Sequence, residues 1–307
     1  MEEKLISVIT PAYNCDKYIL ESLNSILNQT YSNIELLIAD DASTDNTRKI
    51  IDSLKDSRIK TYHNKINKGY LETCNMLLSK AKGELIAFQD ADDISDIDRF
   101  EKQIDYLNKD SSVDVIGSNA IIINSNGDIL YKTNWEKDVN KAIFNIQFPF
   151  ITNSWLLKRK VYDKIGGYKE YFKIGFEDFY WAALVAEKYK IVNMDEYLYF
   201  YRKHKNSMSS NSKNKKYSLG FYSLKYVLKQ RKDNKIDYVE SHKYRKLKSI
   251  IYRKFSSLEY EKKMYKNAIK YILKALIYSP VNIYNIRTLI YYLKSKLNVW
   301  NNWNNKI

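Results

Sequence analysis

The sequence is short of the residues that build the commonest ready-made sites. Two cysteines, Cys15 and Cys74, are too few for a disulfide framework or a Cys-based zinc site, and 3 histidines leave little for a His-rich one. Any metal must therefore be held mostly by oxygen. Only 3 Pro and 8 Gly occur in 307 residues, of which 45% are apolar and 28% charged, a composition that excludes collagen-like, low-complexity and disordered chains. No window approaches the roughly 18 unbroken apolar residues of a membrane-spanning helix, since even the late run LIYYLKSKLNVW is interrupted by Lys294 and Lys296. The opening MEEKLISVITPAYN carries acids where an export signal needs a basic start. The expected compartment is the cytosol, with a peripheral place on the inner face of the cell membrane also open.

Basic charge is unevenly spread. Residues 1–210 hold 28 Lys and Arg against 31 Asp and Glu, a net of −3, whereas residues 211–307 hold 23 against 5, a net of +18. The asymmetry, with the polar, aperiodic stretch NSMSSNSKNKK at 206–216 as linker, predicts two domains, 1–210 and 211–307. In the second, YKNAIKYILKALIYSP has Ala268, Tyr271, Ala275 and Leu276 at helical spacing, so a basic helical extension is expected.

In the first domain, short β-rich runs alternate with helical patterns. Leu5–Thr10, 34–39, 59–62 and 84–88 read as strands; the stretches beginning at Tyr18, Thr44, Tyr70 and Asp98 read as helices. Such alternation implies a parallel sheet covered on both faces. An antiparallel addition follows, with Asn126-Gly127 between VDVIGSNAIII and DILYKT as a type I′ hairpin signal. A helix over 178–188 and two short strands, around Ile191 and over 197–201, complete it.

Ligands of open parallel sheets bind beyond the carboxyl ends of the strands, where three polar clusters fall here: PAYN, DDASTDNT and QDADD. Asp90, Asp92 and Asp93 repel one another within four residues, and a divalent cation is their natural counter-charge. A solvated acidic loop ahead of the helix near Asp98 is the alternative. Ser43, Thr44 and Asp45 suit helix capping, which leaves Asp40 and Asp41 at the strand tip, where a carboxylate can accept from a nucleobase N–H. Glu177 and Asp178 could simply begin a helix, His204 could be a surface histidine among basic neighbours, and Trp155 and Trp181 could be core or sugar-stacking walls.

The ordered set of these segments, from SVITPAYNCDKY through IADDASTDNT, NKGYLETCN, KGELIAFQDADD, KIGGY and GFEDFYW to YRKHKNSMS, resembles the family 2 glycosyltransferases, inverting enzymes of the GT-A fold. The resemblance covers about two-thirds of the chain. It implies an α/β fold with a mixed sheet whose N-terminal half is parallel, and transfer of a sugar from a nucleoside-diphosphate sugar, UDP-linked, to a glycan or lipid-linked hydroxyl. By the same resemblance Pro11, Ala12, Tyr13, Asn14, Asp41, Asn67, Gly69, Asn75, Asp90, Asp92, Asp93 and His204 face the donor. The resemblance likewise implies that Asp92, Asp90 and His204 hold Mn²⁺ or Mg²⁺ and that Asp178 is the catalytic base; Glu177 is expected to orient or bind the acceptor, and Trp155 to meet it as a stacking wall. Departures from the family pattern are Ala42 where Gly is usual, Cys74 where many members have Arg, and the acceptor-side segment FPFITNSWLL, which matches only loosely. Two rivals remain at this stage: a nucleotidyltransferase making sugar nucleotides, and a degenerate scaffold acting through the basic tail. For that tail an anionic membrane surface is the expected partner, with a solvated cap or nucleic acid as alternatives.

Overall fold

The computed structural model describes residues 3–144, 150–169, 177–205 and 207, and, further along, 253, 256, 265–278, 280 and 284–291. The chain divides into two compact units, Met1–Ser210 and Asn211–Ile307.

The first unit contains strands β1 (Ile6–Ala12), β2 (Ile34–Asp40), β3 (Ile59–His63), β4 (Leu85–Phe88), β5 (Ile94–Ser95), β6 (Val115–Ile123), β7 (Ile129–Lys132), β8 (Leu156–Lys158) and β9 (Ile191–Arg202). Its helices are α1 (Ile19–Leu27), α2 (Thr47–Ser53), α3 (Tyr70–Lys80), α4 (Arg99–Lys109), α5 (Val139–Phe144), α6 (Arg159–Ile165) and α7 (Glu177–Ala186). All strands join one sheet in the order β3-β2-β1-β4-β8-β6-β9-β5, with β7 beside β6. The pairs β3-β2, β2-β1 and β1-β4 are parallel, so the carboxyl ends of four strands open on one edge. Every residue of β1 and β2 is buried, the expected outcome when helices cover both faces and no face is left for water.

The second half of the sheet differs in detail from the sequence expectation. Asn126 keeps a negative φ while Gly127 has φ +92°, so the pair forms no type I′ turn, which needs positive φ at both positions. The Asn124 side chain closes a longer loop instead, accepting from the Asn126 and Asp128 amides at 2.8 and 3.0 Å. The two short strands expected around residues 191 and 197–201 are one strand, β9, whose parallel register against β6 shifts between Ser118 and Ala120. That irregularity breaks the period-2 pattern and made one strand look like two.

One buried side chain fixes the floor of the strand edge. Arg99 is fully buried and its guanidinium donates to the Ser95 hydroxyl (2.8 Å), the carbonyls of Phe88 (3.3 Å), Asn153 (2.9 Å) and Trp155 (3.3 Å), and Gln89 Oε1 (3.4 Å). It lies 5.2 Å from the Tyr199 ring centre. Neutral acceptors and π faces thus replace the carboxylate that usually accompanies a buried arginine.

In the second unit, helix α8 (Tyr265–Tyr278) buries Ala268, Ile272 and Ala275, with Leu289 against them. Residues 208–216, and Trp300 and Trp303 of the expected basic extension, lie outside the described residues. Among the described residues no helix is long and apolar enough to cross a membrane.

Candidate active site

The sheet brings the three polar clusters to one edge. Pro11 and Ala12 end β1, both buried, and Tyr13 follows them half in solvent, 49% exposed. Asn14, at φ +48°, ties this loop to the next: its Oδ1 accepts from the Thr44 amide (2.8 Å) and its own amide donates to Ser43 Oγ (3.0 Å). Asp40 closes β2 and its carboxylate accepts from the Ser43 amide at 3.2 Å. Asp41 is buried, and its carboxylate accepts from Asn64 Nδ2 (2.7 Å) and the amides of Lys68 (2.9 Å) and Gly69 (2.8 Å). It organises the 64–69 loop, in which Asn67 is exposed and Gly69 adopts φ +87° ahead of α3. A carboxylate has about four acceptor positions, so one remains for a further donor.

Asn75 departs from the donor-facing expectation. Its amide is spent on the backbone of Tyr168, donating to the carbonyl (2.8 Å) and accepting from the N–H (2.7 Å), so it clamps α3 to the segment after α6. A Cβ at Gly167 would sit 2.2 Å from Asn75 Oδ1, which explains the glycine there. Cys74 is wholly buried and faces the core.

Asp90, Asp92 and Asp93 offer oxygens within 4.8 Å of one another, the one group of three candidate metal ligands among the described residues. Asp90 accepts from Asn153 Nδ2 and, at 3.4 Å, from the Tyr70 hydroxyl. Asp92 Oδ2 meets His204 Nε2 at 2.8 Å, and the His204 ring lies 4.9 Å from that of Tyr18. Asp93 Oδ1 accepts from the Arg202 amide at 2.7 Å, while its buried Oδ2 finds no hydrogen-bond partner. Burial first, then the charges of Asp92 and Asp178, push the Asp90 carboxyl up to about 8. Burial, Asp92 and Asp90 raise Asp93 well above the carboxylate range. The set fits a hard divalent cation on its own terms: oxygens with one imidazole, mutually repelling, and one buried oxygen without a partner.

The second carboxyl pair, at the start of α7, stands close enough to feel the first. Asp178 Oδ2 accepts from Thr152 Oγ1 (3.2 Å) and Oδ1 from the Phe179 amide (2.8 Å). Burial raises its carboxyl above the ordinary value. Burial and then the charges of Asp178 and Asp90 push Glu177 up to about 8. Asp90, Asp92, Asp93, Glu177, Asp178 and His204 thus converge, although 114 positions separate the first from the last.

Trp155 is a correction. It is fully buried, as is Trp181 but for 1%, and their rings pack with each other and with Phe150 and Phe88, so neither offers a wall to an acceptor. Sequence reasoning passed over Thr152 and Asn153, which carry no signature in an apolar stretch, and Tyr70.

The model of the family "Glycosyl transferase family 2" matches residues 7–173, more than half of the chain. This chain belongs to glycosyltransferase family 2. An uncharacterized glycosyltransferase of Haemophilus influenzae is 31% identical over 284 residues, 83% of this chain and 87% of that one. UDP-Glc:alpha-D-GlcNAc-diphosphoundecaprenol beta-1,3-glucosyltransferase WfgD of Escherichia coli is 42% identical over 126 residues, 41% of this chain and 49% of that one. Among solved structures, S. aureus TarS 1–349 in complex with UDP-GlcNAc aligns with a TM-score of 0.59 at 19% identity, covering 94% of this glycosyltransferase and 79% of TarS. That likeness is one of fold, the GT-A fold, and it accords with the mixed sheet and its parallel half.

Proposed function

We propose that the glycosyltransferase moves a sugar from a UDP-sugar, with inversion at the anomeric carbon, to a glycan or lipid-linked hydroxyl, using Mn²⁺ or Mg²⁺. The observation that carries this reading is the placement of Asp90, Asp92 and Asp93 beside Asp178 at the carboxyl edge of the parallel strands. WfgD, which is named for a UDP-glucose donor and a diphosphoundecaprenol acceptor, and the UDP-GlcNAc complex of TarS support the donor and acceptor classes.

In this reading Pro11, Ala12, Tyr13 and Asn14 form one side of the nucleoside pocket, and Asp41 presents its remaining acceptor position to the base. Asp92 and Asp90, with His204, would hold the cation. Such a cation, when bound, neutralises the charge that gathers on the departing diphosphate. Asp178 takes the acceptor proton, aided by its raised affinity for a proton. Glu177, whose carboxyl burial and the charge of Asp178 push upward, stands beside the base as the residue that binds the acceptor. Residues 1–210 form the catalytic domain, and the basic segment 211–307 docks on an anionic membrane surface, placing the enzyme at the inner face of the cell membrane.

Thermal unfolding with UDP, GDP, CDP and dTDP, each with and without Mn²⁺, tests the reading. A ligand at a hundredfold excess over its Kd stabilises by about 2.7 kcal/mol. UDP should shift the transition only with the metal, and Asp92→Ala should abolish the shift. Stabilisation by no nucleotide would refute the donor site.

A further inference from the structure

We infer that Thr152 and Asn153 form a two-headed positioning turn that sets the catalytic base and the metal-side carboxylate relative to each other. The inference rests on the reaction proposed above. The two residues are consecutive on a 3-10 turn, Thr152–Ser154, and both are nearly buried, 3% and 7% exposed. Their side chains go to different acids: Thr152 Oγ1 donates to Asp178 Oδ2 at 3.2 Å, and Asn153 Nδ2 donates to Asp90 Oδ2. The Tyr70 hydroxyl lies between the second pair, 3.4 Å from Asp90 Oδ1 and 3.5 Å from Asn153 Oδ1, so the Asn153 amide is oriented from both ends.

The turn is rigidly referenced to the strand that presents the acids. Arg99 donates to the Asn153 carbonyl at 2.9 Å and to that of Trp155 at 3.3 Å, and to the carbonyl of Phe88 at 3.3 Å, two residues before Asp90. Gln103 Nε2 holds the Ser154 carbonyl at 2.7 Å and that of Ile116 in β6 at 3.2 Å. One buried guanidinium therefore bonds both the backbone under Asp90 and the backbone under Thr152 and Asn153. The main chain is fixed from below, and the two side chains point upward to separate carboxylates. Direct hydrogen bonds from outside the ligand set orient such carboxylates, and losing one typically costs 10- to 100-fold in metal affinity or activity.

The two heads should separate experimentally. Calorimetry with UDP and Mn²⁺ on the full chain reads the Asn153 side; release of UDP from UDP-glucose or UDP-GlcNAc, with water as the only acceptor, reads the Thr152 side. Asn153→Leu, nearly isosteric, should weaken Mn²⁺-dependent UDP binding at least tenfold. Thr152→Val should leave that binding within twofold while UDP release slows at least tenfold, and Thr152→Ser, which keeps the hydroxyl, should recover most of the rate. Unfolding midpoints are measured alongside. Equal losses of binding in Thr152→Val and Asn153→Leu, tracking a common loss of stability, would reduce the turn to a structural role and overturn the assignment. So would full binding in Asn153→Leu, or UDP release by Thr152→Val at the wild-type rate. Wild-type protein that binds no UDP with Mn²⁺ would instead sink the donor-site reading and take this inference with it.

Discussion

Asp90→Asn should make the metal-free enzyme more stable while removing its metal-dependent ligand binding. Asp90 sits at the coil after β4 with its carboxyl pushed from the usual 3.8 up to about 8, so the folded state holds its proton far more tightly than the unfolded chain does. The sign follows by linkage: the stabilisation is fully present below about pH 4 and is lost as pH rises towards 8. Four units at 1.36 kcal/mol each set a ceiling of about 5–6 kcal/mol. Partial solvent access and proton sharing with Asp92 and Asp178 bring this to about 2–3 kcal/mol at pH 8.

Asparagine fits the same hydrogen bonds. Its Oδ1 can accept from Asn153 Nδ2 and its Nδ2 can donate to the Tyr70 hydroxyl, both already in place around Asp90. In the presence of a chelator, urea unfolding at pH 8 should therefore favour Asp90→Asn by about 2–3 kcal/mol, shrinking below about 1 kcal/mol at pH 5. Added Mn²⁺ and UDP should reverse the order by stabilising the wild type alone. Equal pH slopes for the two proteins between pH 5 and 8 would refute the reasoning, because no buried ionisation would then be opposing the fold.

Three further outcomes follow from other residues. Ala42 holds φ +61°, which costs a non-glycine residue about 1–2 kcal/mol; allowing for the backbone entropy of glycine, Ala42→Gly should raise unfolding stability by about 0.5–1 kcal/mol, and a loss of stability would count against strain at that turn. Asp178→Asn should keep Mn²⁺-dependent UDP affinity within about twofold while turnover falls roughly 100-fold or more, and an unchanged rate would remove Asp178 from the role of base. Trp155→Ala should cost about 3–5 kcal/mol of stability; unchanged stability with a weaker acceptor KM would restore it as an acceptor wall.

The parallel half of the fold was legible because each of its elements repeats one period over enough residues. The runs at β1 and β2 are apolar or small on both faces but for Glu35 and the terminal Asp40, and α1 and α4 place their apolar residues on one side. Elements of two or three residues, β5 and β8, fall below any periodic signal and exist because longer strands offer them an edge. The acid clusters stood out for a related reason: three carboxyls in four residues oppose folding unless something compensates them. Thr152 and Asn153 were invisible because their importance comes from Arg99 and Gln103, which sit some 50 residues earlier and meet them only after folding. Trp155 misled for the opposite reason, since an aromatic side chain suits a sugar face and a core equally well, and only burial separates the two.

The closure of the acid cluster by the end of β9 has a consequence for biosynthesis. Arg202 bonds Asp93 through its amide, the Asp92 carbonyl through Nε (2.9 Å) and Glu21 of α1 through Nη2 (2.6 Å), and His204 meets Asp92 two residues later. As the chain leaves the ribosome, Asp90, Asp92 and Asp93 are made long before Arg202 and His204, which bond two of them from β9 and just beyond it. At roughly 5–20 residues per second, more than a hundred residues pass between the synthesis of Asp92 and that of His204. A product truncated anywhere before β9 would therefore carry the three acids without Arg202 and His204, the residues that bond Asp93 and Asp92 in the folded chain.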